Sequence, residues 1–232
     1  MARPSQNTES RLIQAAVRLI PETGFSGLSM RKVAQKAGVN LGMFHYHFKN
    51  KEDFNQRVME EFYEHFYSQL TLETAKGRDP EEQLRNALAT LAKYIRENRK
   101  LLLALGRDVL DGHQPTLRFM EDNFHRHLVI IIDLIKKNQR AGIFKKDVPL
   151  PVLAAFLAVS LVGPNMIAAI LEHIKLKPQY NWLKKIIIPL MLSDKAINMR
   201  MDLAFAGLTP ENQNLSAAPK TRSAKHGGRG GK

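Results

Sequence analysis

Apolar residues recur along this chain at intervals of three and four, the spacing that lines one face of an α-helix. "TESRLIQAAVRLIPETG" places Leu12, Ala15, Ala16 and Leu19 on one face, with Thr8 positioned to cap the start and Pro21 to end or bend the helix. "SMRKVAQKAG" predicts a second helix: Ser29 caps it, Met30, Val33, Ala34 and Ala37 turn inward, and Gly38 stops it. Asn40 opens a third, "LGMFHYHF", whose Phe44 and Phe48 face inward. Asn50 caps a fourth, with Asp53 three residues on as an approximate capping box. That helix runs to about Ala75 with the stripe Met59, Phe62, Phe66 and Leu70.

Helical spacing continues over roughly 80–97, 99–111, 115–141, 149–173 and 181–206. Phe124, Leu128, Ile131 and Ile135 mark the third of these, and Leu183, Ile187, Leu190, Ile197, Met201 and Phe205 the last. Asp194 interrupts that final stripe, and Pro189 predicts a kink. No segment alternates for long enough to predict a strand. The expected fold is all-α with about nine helices: a three-helix helix-turn-helix head over 1–50 and a larger helical body over 51–207. A small, polar and basic tail over 208–232 is expected to be disordered.

Residues 148–171 are uncharged and long enough to span a bilayer. Pro149, Pro151, Pro164, Asn165 and Ser160, without flanking basic asymmetry, favour instead a helix buried in the core or against a partner subunit. This segment and the last stripe leave more apolar surface than one small body needs, which predicts a homodimer through about 149–173 and 181–206.

Composition sharpens the functional reading. The net charge is +13 over 232 residues. Residues 1–58 hold nine basic side chains against four acids, and 208–232 hold five against one, so the excess sits at the two ends. A polyanion, nucleic acid before anionic membrane, is the expected partner. The chain has no cysteine, which removes thiolate catalysis and cysteine-based zinc sites. The opening "MARPSQNTES" has no apolar run of the signal-peptide kind, so a cytoplasmic location is expected. No glycine-rich phosphate loop or Gly-x-Ser-x-Gly elbow occurs, and the paired acids Glu60–Glu61 and Glu81–Glu82 diverge on a helix, so no enzyme and no cofactor is expected.

Two histidine groups invite a metal reading. His45, His47 and His65 diverge on helices and lack a completing carboxylate. Glu121, Asp122, His125 and His127 include one Asp-x-x-His step, but a solvated charged face accounts for them, and no metal is expected.

The second and third helices form a helix-turn-helix pattern: Ala34 allows a close crossing, Gly38 supplies the positive φ of the turn, and the outward face carries aromatics and histidines beside Lys49 and Lys51. "GFSGLSMRKVAQKAGVNLGMFHYHFKNKEDF" resembles the amino-terminal signature of the TetR family of bacterial transcriptional regulators over about 8–68, with the helix-turn-helix motif at 29–48. The resemblance implies a DNA-reading head, a ligand-binding body and dimerisation through the last two helices. It places Arg31 at a base edge and Leu41 and Gly42 among the base-reading positions of the recognition helix. Met43, Tyr46, His47 and Lys51 match backbone-contacting or orienting positions, and Ser29 could donate to a phosphate. His45 departs from the pattern, standing where the family most often has a phosphate-binding tyrosine; a charged imidazole there would strengthen binding as pH falls.

The resulting expectation is a ligand-released repressor acting as a homodimer on a palindromic double-stranded operator. Its effector is a small molecule of unknown identity, hydrophobic or lipid-like by composition. Phe62, Phe66, Leu103, Phe119, Phe124 and Met166 read equally as pocket lining or plain core. The basic tail is either a DNA-tethering arm or a solubilising end. An effector-independent architectural DNA-binding protein and a peripheral membrane or partner-binding helical protein are the competing readings.

Overall fold

A computed structural model describes residues 4–210, which form nine α-helices and one 3-10 turn with no strand among them. In chain order the helices are α1 (Pro4–Thr23), α2 (Met30–Ala37), α3 (Leu41–His47), α4 (Lys51–Ala75), α5 (Pro80–Leu110), α6 (Gln114–Arg140), α7 (Leu150–His173), α8 (Asn181–Leu192) and α9 (Asp194–Leu208). The all-α expectation holds. The tail expected to be disordered lies, from residue 211 on, outside the described residues.

Helix ends follow local chemistry. Gly38 takes φ 65°, and its N–H and that of Val39 return to the Gln35 and Ala34 carbonyls, which closes α2 in a left-handed cap. Arg11 from α1 adds hydrogen bonds to the Ala37 and Gly38 carbonyls at 2.6 and 3.1 Å. Asn40, Asn50 and Asp79 accept from the backbone of the first turns of α3, α4 and α5.

Four boundaries differ from expectation. Helix α1 begins at Pro4, so Thr8 lies inside it, and Pro21 is carried within its last turn. The two helices expected over 80–97 and 99–111 are one, because Glu97, Asn98 and Arg99 include no glycine or proline to break the pattern. The single helix expected over 181–206 is two. Ser193 caps α9 through Ala196 N–H at 3.1 Å, and Asp194 takes the first helical position and pairs with Arg96. Asp194 therefore marks a helix start, which is why it interrupted the stripe. Pro189 lies inside α8, three residues before its end.

The core divides into two clusters. One joins α1–α3 with Phe54, Val58 and Met59 of α4, Leu101 and Ala104 of α5 and Phe119 of α6. The other joins Phe66 and Leu70 of α4 with α5, α6, α7 and α9. Helix α4 thus contributes to both. In the first, Phe44, Phe48 and Phe54 pack as an aromatic trio with centroids 4.7–5.3 Å apart.

Helix α7 is long and apolar enough to cross a membrane, but one face packs in this core through Leu153, Leu157 and Leu161. Its other face, with Val152, Phe156, Val159, Ile167 and Ile170, is exposed. It is not buried all round within the protomer. Trp182, Ile186 and Leu190 of α8 are exposed as well, so the Leu183–Leu190 half of the last stripe stays outside the protomer core that Ile197, Met201 and Phe205 enter.

Candidate nucleic-acid interface and effector cavity

Helix α3 is held by its inward side and presents the other. Phe44 is fully buried, and the Asn40 side chain accepts the Gly42 N–H at 2.8 Å, fixing the first turn. That leaves Gly42, Met43, His45 and Tyr46 exposed, with Tyr46 at 76%. Leu41 and His47 are half-buried, and Leu41 packs on the edge of the first core. The His47 Nε2 is enclosed with no partner among the described residues. Arg31 is exposed on α2. Ser29 stands at the N-cap of α2 but makes no capping bond with its side chain, so its hydroxyl is not spent on the helix. Lys51 donates to the Ser26 carbonyl, which ties its ammonium to the loop before α2.

That loop is clamped from two sides. Asp108, 2% exposed near the end of α5, accepts from Phe25 N–H at 2.6 Å and Ser26 Oγ at 2.8 Å. Asn55 of α4 donates to the Phe25 carbonyl at 3.1 Å. Gly24 passes the carboxylate with φ +69°, and a Cβ there would lie 2.9 Å from Asp108 Oδ1. The sequence reading missed Asp108. Its one signal was a carboxylate in the last turn of a helix, where the dipole disfavours it and a tertiary role must compensate.

Between α4, α5, α6 and α7 lies a cavity of about 380 Å³. Of the six lining candidates read from the sequence, Phe62, Phe66, Phe119, Phe124 and Met166 line it. Leu103 does not; α5 turns Leu102 and Leu105 toward the space instead. Among the described residues, no lysine, arginine, aspartate or glutamate lines the cavity.

Its polar groups are Tyr63, Tyr94, Asn123 and His127, all absent from the sequence reading of the pocket. Tyr94 donates to the Phe62 carbonyl at 2.9 Å, and burial raises its phenol so that it stays protonated. Tyr63 donates to the Asn123 carbonyl at 2.8 Å and meets His127 Nδ1 at 3.1 Å. His127 is 8% exposed, and burial pushes its imidazole down to about 4. The expected solvated face is thus wrong at one position: Glu121, Asp122 and His125 are exposed, while His127 is buried. The signal for it was Phe119, Asn123 and His127 at steps of four, an inward stripe disguised by its polar members. Among the described residues no three histidine, aspartate or glutamate side chains gather as a metal site.

The family model described as bacterial regulatory proteins, tetR family, matches residues 12–58, the segment that builds the first core and the exposed α3. Residues 12–58 thus match the amino-terminal domain of the TetR family. That family consists of transcriptional regulators, not enzymes. The probable HTH-type transcriptional regulator YttP of Bacillus subtilis is 34% identical over 107 residues, 44% of this chain and 51% of that protein, so the likeness spans about half the relative's length. The HTH-type transcriptional repressor KstR2 of Mycolicibacterium smegmatis is 24% identical over 160 residues, 66% of this chain and 77% of that one. The crystal structure of the regulator FadR of Bacillus subtilis in complex with stearoyl-CoA superimposes with a TM-score of 0.60 at 17% identity, covering 80% of this chain and 98% of that chain. At that identity the likeness shows a shared all-α fold, and nothing finer.

Proposed function

We propose that this protein is a TetR-family, sequence-specific repressor that binds a near-palindromic operator as a homodimer and is released by a small apolar effector. The observation that carries the DNA reading is α3: a short helix pinned by a buried Phe44 and an Asn40 cap, with its aromatic, histidine-rich face directed to solvent. Each α3 enters a major groove, the two half-sites one turn (~34 Å) or somewhat more apart. Arg31 reads a base edge, Leu41 and Gly42 approach bases, and Ser29, Met43, His45, Tyr46, His47 and Lys51 contact or orient the backbone. The unspent Ser29 hydroxyl suits a phosphate.

The homodimer reading is supported by the exposed faces of α7 and α8, where Phe156, Val159, Ile170, Trp182 and Leu190 form an apolar surface too large for a solitary regulator. The effector reading is supported by the cavity. A fold neighbour, FadR, is named as a complex with stearoyl-CoA, and an apolar molecule is what a lining free of charged residues accepts here. To release DNA the effector favours the geometry with the wrong head spacing; a hundredfold preference corresponds to about 2.7 kcal/mol of coupling.

Selection of bound duplexes from a random pool tests specificity, symmetry and spacing together. An enriched inverted repeat is the expected result. Enrichment of no sequence favours the architectural reading, and sedimentation with anionic vesicles that DNA does not compete away favours the membrane one.

A further inference from the structure

A polar side chain in the cavity wall, His127, has one ring nitrogen engaged by Tyr63. Tyr63 has a single proton, and the Asn123 carbonyl takes it at 2.8 Å. Across the 3.1 Å contact, His127 Nδ1–H is therefore the donor and Tyr63 Oη the acceptor. That fixes the tautomer and leaves Nε2 as a bare acceptor, for which the described residues supply no donor. The ring packs at a steep angle against both Phe66 and Phe124, with centroids 5.6 and 4.9 Å away.

We infer that the cavity selects an uncharged effector with an apolar body and one hydrogen-bond donor, an alcohol in its simplest form, whose hydroxyl is read by His127 Nε2. The inference rests on the reading of the cavity as an effector site. An apolar guest without a donor would cover the Nε2 acceptor and leave it unpaired. A carboxylate meets no cation in the lining, and it finds no charge on the imidazole either, which burial keeps neutral near pH 7. The Tyr63–Asn123 link acts as a positioning contact: it decides which imidazole nitrogen carries the proton.

The test uses the full chain at pH 7.5 and displacement of a fluorescent apolar probe, 1-aminoanthracene, by 1-decanol, 2-decanone and decanoate. Expected is displacement by decanol at about tenfold lower concentration than by decanone, with decanoate weaker than both. His127→Leu abolishes the alcohol's advantage while decanone still displaces the probe. Tyr63→Phe keeps the ring but frees the imidazole to present either tautomer, so the ratio of decanol to decanone affinity falls toward one with probe uptake intact. Equal displacement by decanol and decanone in the wild type, or decanoate as the tightest, overturns the acceptor assignment and leaves the effector site standing. If the probe never enters and no compound displaces it or raises the melting temperature, the effector-site reading fails with it.

Discussion

At the scale of single residues, two buried polar groups outweigh their neighbours. Asp108 satisfies two donors of the Gly24–Ser26 loop, and hydrogen bonds to a charged acceptor contribute about 1.5–3 kcal/mol each. Asp108→Ala is expected to lower the unfolding free energy by about 3 kcal/mol in urea titration; a loss below about 0.5 kcal/mol contradicts the clamp. His127 sets a pH dependence. An unfolded histidine takes a proton below about 6.5, whereas the folded ring resists until about 4. Its contribution is therefore fully present above pH 6.5 and is lost as pH falls from there to 4, by up to about 3 kcal/mol. His127→Leu should flatten the fall of the urea midpoint across that window, and an unchanged slope would contradict a neutral buried imidazole. Neither residue was legible in the sequence as more than a polar interruption. A polar side chain on an apolar stripe reads alike whether it faces solvent or closes a buried hydrogen-bond network.

Among the helices, legibility followed the strength of the punctuation. Glycine and asparagine marked α2 and α3 because a left-handed cap and an Asx acceptor are local demands, met within two or three residues. The junction at 97–99 lacked punctuation and proved continuous, while Ser193–Asp194 was a true cap read as a flaw in a stripe. The cavity was legible in its aromatics. Leu103 was misassigned because three consecutive leucines leave the register of α5 open by one position. For α2 the expected DNA behaviour is specific. Arg31→Ala should cost about 1–3 kcal/mol on the preferred operator and relax the sequence requirement at one base pair.

At the scale of the whole molecule, α7 and α8 leave apolar side chains exposed that the proposed homodimer covers. Val159 is 70% and Leu190 68% exposed, on neighbouring helices that contact one another. The double substitution Val159→Glu, Leu190→Glu should yield a folded monomer by light scattering, with operator binding lost because two half-sites no longer share one ligand. With three to five phosphates per head, operator affinity of the wild type should fall with salt at a log–log slope of roughly −5 to −9 per dimer. A slope near zero in the wild type is incompatible with groove binding.

Helix α5 runs unbroken for 31 residues. Near one end Arg85 meets Asp202 of α9, midway Arg96 holds the α8–α9 junction, Leu102 and Leu105 wall the cavity, and Asp108 grips the head. At about 1.5 Å per residue it is a rod of about 46 Å, so a tilt of about 5° at one end displaces the other by about 4 Å. In the proposed release, a guest too small to deform the cavity visibly still throws the recognition helix out of register, because α5 acts as a lever arm. Two glycines at Leu103 and Arg107 would soften the stretch between the cavity wall and Asp108. Operator and effector should then each bind as before, while the effector no longer releases the DNA.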